Sequence, residues 1–233
     1  MSKLLDVYRR EWPRVAAVQA MVLGGASLLA GRKSQANLRA LAVMNGMTMC
    51  AHQYEEYVGP GYFPGMVNVG IFKSDQPYNY PYNPSSAMCA NVFFRWLYVP
   101  PMLFPQVKWL GLPPALLGIF QGVAHTTVMP KIAKAKYPYS PGALTSTLLH
   151  IPIGITYIHA ARKQGGISRG DWVKSAGVLA GFLVFGVAVP NLALRNRDNP
   201  YRFTDRQMGV YAPNQSDEAA HADAAVDGGT PAV

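Results

Sequence analysis

Six long runs without formal charge limit what this chain can fold into. They cover Val15 to Gly31, the stretch from Ala40 to about Tyr57, about 86–106, Trp109 to Pro130, Pro141 to Ala161, and Ser175 to Leu194. Two exceptions matter: Arg95 sits in the third run, and a pair of glutamates closes the second. A helix of roughly 20 apolar residues crosses the hydrocarbon core of a bilayer, and only structures that satisfy their own backbone hydrogen bonds survive there. The expectation is an all-α, polytopic transmembrane helix bundle of about six spans. Only 14% of residues are charged, against about 25% in a typical soluble domain.

The net charge of +9 does not point to nucleic acid. Lys and Arg come in small groups beside the apolar runs: Arg9, Arg10 and Arg14; Arg32, Lys33 and Arg39; Lys131, Lys134 and Lys136; Arg162 and Lys163. Such groups anchor helices to lipid headgroups. The expected partners are the bilayer and an apolar small molecule, with no nucleic acid. The expected location is a membrane, the cytoplasmic membrane if the source is bacterial. The Lys/Arg distribution over loops places both termini on the cytoplasmic side. Cys50 and Cys89 lie in apolar contexts and imply no disulfide framework.

Three regions follow. Residues 1–14 read as a basic amphipathic segment at the surface. Residues 15–194 form the bundle. Residues 195–233 are polar, poor in large apolar side chains, and expected to be largely disordered. Within the bundle, 58–85 are dense in Gly, Pro, Tyr and Asn, which rules out a regular helix. A connection of that length is an ordered cover over something.

Polar residues within the runs are spaced for one helix face. Asn45, Thr48, His52, Glu55 and Glu56 follow intervals of three and four, so they form a stripe. A stripe of this kind must face the bundle interior or a wet cavity. His52 lies one turn before both glutamates, which diverge by about 100°. Other runs supply partners: Asn91 with Arg95, Gln121 with His125, and Thr147, His150 and Tyr157. Arg95 could neutralise one of the carboxylates.

The sequence His52-x-x-Glu55-Glu56 resembles the signature of the HXXEE-domain family of integral membrane proteins. Its surroundings strengthen the likeness: Tyr57, Gly59-Pro60-Gly61-Tyr62-Phe63-Pro64, Asn68, Asn91, Trp109-Leu110-Gly111, Gln121 with His125, and Tyr139-Ser140-Pro141-Gly142 before Thr145. The similarity runs from about residue 40 to 160. It implies a helical fold and these site residues, and it names no substrate.

The residue types allow three chemistries. In the first, Glu55 or Glu56 acts as a proton donor to an isoprenoid or lipid-like substrate, as in membrane isomerases and cyclases, with His52, His125 and Asn91 completing the catalytic set. Asn45, Asn68, Gln121, Tyr139 and His150 would bind the substrate. In the second, His52, Glu55, Glu56 and His125 hold Fe, Mn or Zn. The third is a proton-coupled transporter or lipid-binding scaffold.

Overall fold

The computed structural model describes residues 3–29, 36–134 and 139–212. These form eight helices and no strand. In chain order they are α1 (Lys3–Leu29), α2 (Ala36–Tyr57), α3 (63–71), α4 (Pro84–Trp96), α5 (Val99–Leu103), α6 (112–132), α7 (143–163) and α8 (Arg169–Ala193). A short turn of helix at Asp205–Met208 follows.

The helix α2 is central. It supplies a residue to each of three apolar clusters. Tyr57 packs with Trp12, Val67, Tyr82, Phe203 and Met208 at one end. Met49 packs with Leu97, Tyr98, Leu117 and Phe182 in the middle. Leu38 packs with Leu112, Ala115, Tyr157 and Ala161 at the other end. Around α2 stand α1, α4, α5, α6 and α7, and α8 closes against α6 and α4.

Local signals set the helix starts. Asn83 accepts hydrogen bonds from the N–H groups of Ser85 and Ser86, and Ser86 Oγ accepts from the Asn83 N–H, which with Pro84 at the first turn fixes the start of α4. Ser168 and Asp171 form the same reciprocal cap on α8. Four helices contain a widened, π-type turn; one forms most of α3, at Met66–Ile71, and the other three lie at Ala124–Val128, Ser146–His150 and Leu183–Ala188, inside α6, α7 and α8. The last three share a cause. Each ends two residues before a proline: Pro130, Pro152 and Pro190. A proline inside a helix removes a hydrogen bond and crowds the preceding turn, and one extra residue in that turn relieves the crowding.

Several expectations need correction. The N-terminal segment 1–14 is not a separate surface element, because α1 runs unbroken through Pro13. Arg9 is turned inward, 2.7 Å from Asp6 and over the ring of Tyr201. The 58–85 connection is ordered but not devoid of helix, since Pro64 occupies the first turn of α3, where its missing N–H costs nothing. The polar stretch from 195 is not disordered as far as 212. Phe203 and Met208 are buried, and Asn79 and Asn83 donate to the carbonyls of Arg197, Asn199 and Leu194. Residues 213–233 lie outside the described residues. Arg95 does not neutralise a glutamate; it bonds to Gln19 and Tyr8.

Five of the six expected spans overlap helices α1, α2, α6, α7 and α8, with residues 30–31 of the first outside the described residues, and the third spreads over α4 and α5. Among the described residues, only α8 is both long and apolar enough to cross a membrane, with 25 residues that include an 18-residue stretch of mean hydropathy 1.9. In α2 the polar stripe lowers that average.

Candidate functional site

The stripe on α2 is buried throughout: Asn45, Thr48, His52, Glu55 and Glu56 are all inside. His52 and Glu56, one turn apart, face His125 from the widened turn of α6. Glu56 Oε1 lies 3.6 Å from His52 Nε2 and 3.4 Å from His125 Nε2. All three potential ligand atoms fall within 4.8 Å of one another. The two histidine–carboxylate separations are long for hydrogen bonds. They are near the spacing of about 3.4 Å between neighbouring donors around a tetrahedral ion with bonds of about 2.0–2.1 Å. The buried His52, Glu56 and His125 could hold a metal ion.

The far side of each ring is held by a hydroxyl or amide oxygen. His52 Nδ1 is 3.0 Å from Thr145 Oγ1 and 3.1 Å from Ser146 Oγ. His125 Nδ1 is 3.0 Å from Ser140 Oγ. His150 Nδ1 is 3.0 Å from Asn45 Oδ1. Outer partners of this kind orient metal-binding imidazoles. The single hydroxyl hydrogen of Thr145 goes to Glu55 Oε2 at 2.5 Å, so Thr145 Oγ1 faces His52 Nδ1 as an acceptor, while Ser146 Oγ can accept from or donate to the same nitrogen. With the proton of the neutral ring on Nδ1, Nε2 carries a lone pair. That atom is buried and has no hydrogen-bond partner. The same holds for His150, whose Nδ1–H donates to Asn45 and whose Nε2 is buried without a partner. The His52 ring stands 4.9 Å from that of His125 and 5.5 Å from that of His150.

Glu55 does not join this group, which corrects the four-ligand set expected from sequence. It turns towards the start of α7 and accepts four hydrogen bonds, from Leu144 N–H (3.1 Å), Thr145 N–H (2.8 Å), the Thr145 hydroxyl and the Tyr139 hydroxyl. Burial, followed by the bond to Glu55, raises the Tyr139 phenol well above its ordinary pKa, so it remains a donor. Four donors suit a carboxylate and leave no role for an acid proton.

The remaining predicted residues divide. Asn91 donates to Tyr57 Oη and to the Ala87 carbonyl, in a network that includes Tyr82. It ties α4 to α2 beside the cluster. Asn68 is a strap: it donates to the carbonyls of Pro77 and Tyr82 and accepts from the Tyr82 N–H. Gln121 is half-buried one turn before His125. The expected cover is present in part, with Phe63 of α3 lying 5.6 Å from the His125 ring.

Sequence reasoning missed the roles of Thr145, Ser146, Ser140 and Gly142. Gly142 has φ +99, and a Cβ there would lie 2.6 Å from His52 Cε1 and 2.9 Å from His125 Nδ1. Glycine is required by both the backbone and the space. Likewise a Cβ on Gly118 would sit 2.7 Å from His150 Nδ1, so this position lets α6 and α7 close around the histidine.

The fold and site define an all-helical protein with a buried histidine–carboxylate cluster. Residues 43–157 match the HXXEE family, described as proteins of unknown function with an HXXEE motif, and over those residues the chain belongs to that family. No curated protein and no solved structure matches it at a significant level. The three signature residues separate in space: the first and last face His125, and the middle one supports them from behind.

Proposed function

We propose that this chain is a multi-pass membrane protein and a metal-dependent enzyme, with His52, Glu56 and His125 as ligands and an apolar, lipid-like or isoprenoid molecule as substrate. The observation that carries this reading is the meeting of two imidazole Nε2 atoms and one carboxylate oxygen in a buried space. Each ring is held from behind by a hydroxyl, and His52 Nε2 has no hydrogen-bond partner. An unpaired buried polar atom costs about 1–3 kcal/mol, and an ion would remove that cost. Three protein ligands leave a coordination position open, as catalytic sites do. A divalent metal bound there supplies a Lewis acid for a substrate oxygen or lowers the pKa of a bound water. His52 and His125 would hold the ion through their Nε2 atoms, and Glu56 would add a negatively charged oxygen. The His150 lone pair can accept a hydrogen bond from a substrate hydroxyl.

The membrane part of the proposal is supported by where polarity falls. Large apolar side chains such as Met21, Phe120, Leu148, Val173, Phe185 and Leu192 are exposed, while Asn45, His52, Gln53, Glu55, Glu56, Asn91, His125 and His150 are inside. Large exposed apolar patches mark sites of membrane or protein contact.

The experiment is metal analysis of protein purified in detergent from cells supplied with iron, manganese and zinc. The wild type should carry about one transition-metal ion per chain, and Glu56→Gln and His125→Ala should lose it while remaining folded. A wild type holding no more metal than these variants removes the metal centre. Lipid profiling then tests catalysis: a strain carrying Glu56→Gln should share the altered lipid of a null strain. A wild-type profile with Glu56→Gln expressed removes the enzymatic reading.

A further inference from the structure

A groove of about 470 Å³ runs between α1, α2 and the α4–α5 pair. Val15, Val18, Val22, Val92, Val99 and Met102 make it apolar. Its volume lies in the range of small-molecule sites, about 300–1,000 Å³. One cation interrupts it. Arg95 lines the groove and is half-buried, and no carboxylate among the described residues pairs with it. Its Nη1 donates to Gln19 Oε1 and its Nη2 to Tyr8 Oη. A guanidinium has five N–H donors, so most of its donor capacity is free for an anion. At the groove floor, Tyr98 is buried, its hydroxyl has no partner, and its ring is 6.4 Å from that of His150. The groove therefore abuts the interior histidines through a single aromatic side chain.

We infer that this groove binds a single hydrocarbon chain bearing a carboxylate, with the carboxylate on Arg95 and the chain along the valine wall. The head is assigned from charge. One guanidinium matches one planar monoanion in a two-pronged contact, whereas a phosphate head would leave uncompensated charge next to apolar walls. The space suits one chain rather than the two of a phospholipid. No lining residue is a member of the His52/Glu56/His125 group, so the inference holds whether or not that group carries a metal.

The test uses the full chain in nanodiscs of phosphatidylcholine, with dibrominated stearic acid quenching the fluorescence of Trp96, which lines the groove. Quenching should saturate for the acid and not for its methyl ester. Arg95→Gln should weaken acid binding about tenfold, the worth of a lost charge-assisted hydrogen bond, and Arg95→Lys should fall between. Val18→Phe, which narrows the groove without adding a fluorophore, should weaken saturable quenching. Equal behaviour of acid and ester in the wild type, which needs no variant to fold, overturns the carboxylate assignment. Tighter competition by phosphatidic acid than by stearic acid overturns the single-chain carboxylate in favour of a phospholipid.

Discussion

Glu55 and Glu56 are neighbours in sequence and differ in what they can do, because adjacent helix positions point about 100° apart. Glu56 shares a face with His52 and meets His125. Glu55 reaches Thr145, whose hydroxyl then holds His52. Charge at the two positions should therefore be separable by experiment. Glu56→Gln removes a ligand and should abolish metal binding. Glu55→Gln and Thr145→Val remove an outer partner and should leave binding intact but weaker, by about 10–100-fold in a chelator competition. Equal metal loss from Glu55→Gln and Glu56→Gln in folded protein would show that the division of labour is wrong. At Gly142, alanine must adopt φ +99, a left-handed conformation costing about 1–2 kcal/mol, with its methyl against two histidines. Gly142→Ala should lower the melting temperature and the metal affinity together. These roles were hidden in the sequence for a definite reason. Thr126, Thr127 and Thr156 bond to the carbonyl four residues back, whereas Thr145 bonds to a carboxylate 90 residues away. Nothing local distinguishes the two cases.

At the scale of elements, proline shapes the site. His125 and His150 both lie in widened turns that end two residues before Pro130 and Pro152. The extra residue in each turn shifts the direction of the side chains within it. Pro130→Ala should restore a regular turn, because a proline inside a helix costs about 3 kcal/mol. The variant should be at least as stable as the wild type to heat, yet its metal affinity should fall because His125 is re-aimed. A decrease in stability with unchanged affinity would mean that the turn is widened for another reason. The start of α8 offers a simpler case: Ser168→Ala removes an N-cap and should cost about 1 kcal/mol in reversible unfolding. Much at this scale was legible in advance. The polar stripe, the prolines and the apolar runs are periodic or local signals, and they gave the helices and placed His52, Glu56 and His125 in buried positions. The order in 195–212 was not legible, because Phe203 and Met208 are isolated apolar residues in a polar stretch. Their burial depends on a surface formed by Trp12, Tyr57 and Tyr82, far away in the chain.

For the whole molecule, a polar group is buried along α2 while many large apolar side chains are exposed, and residues 195–212 close one end of the bundle. Met208 is fully buried and packs with Tyr57 and Phe203 at the end of the bundle near the cluster. Met208→Ala should cost about 2–5 kcal/mol, as core truncations do, although the residue lies in a stretch that looks dispensable. The proposed six crossings, five by single helices and one by the α4–α5 pair, carry the topological prediction. On the proposed multi-pass reading, an even number of crossings would place both ends on one side, and the Lys/Arg excess over the loops would put that side in the cytoplasm. Single cysteines at Lys3 and Asp198, introduced after replacing Cys50 and Cys89 with serine, give the readout. Residue 3 begins α1, and residue 198 follows α8 in an exposed segment. An impermeant maleimide should label neither site in intact cells and both after lysis, with the protein retained in the membrane fraction through alkaline extraction. Labelling of one site alone in intact cells would require an odd number of crossings, so that one of the six proposed spans lies in the interface instead of across it.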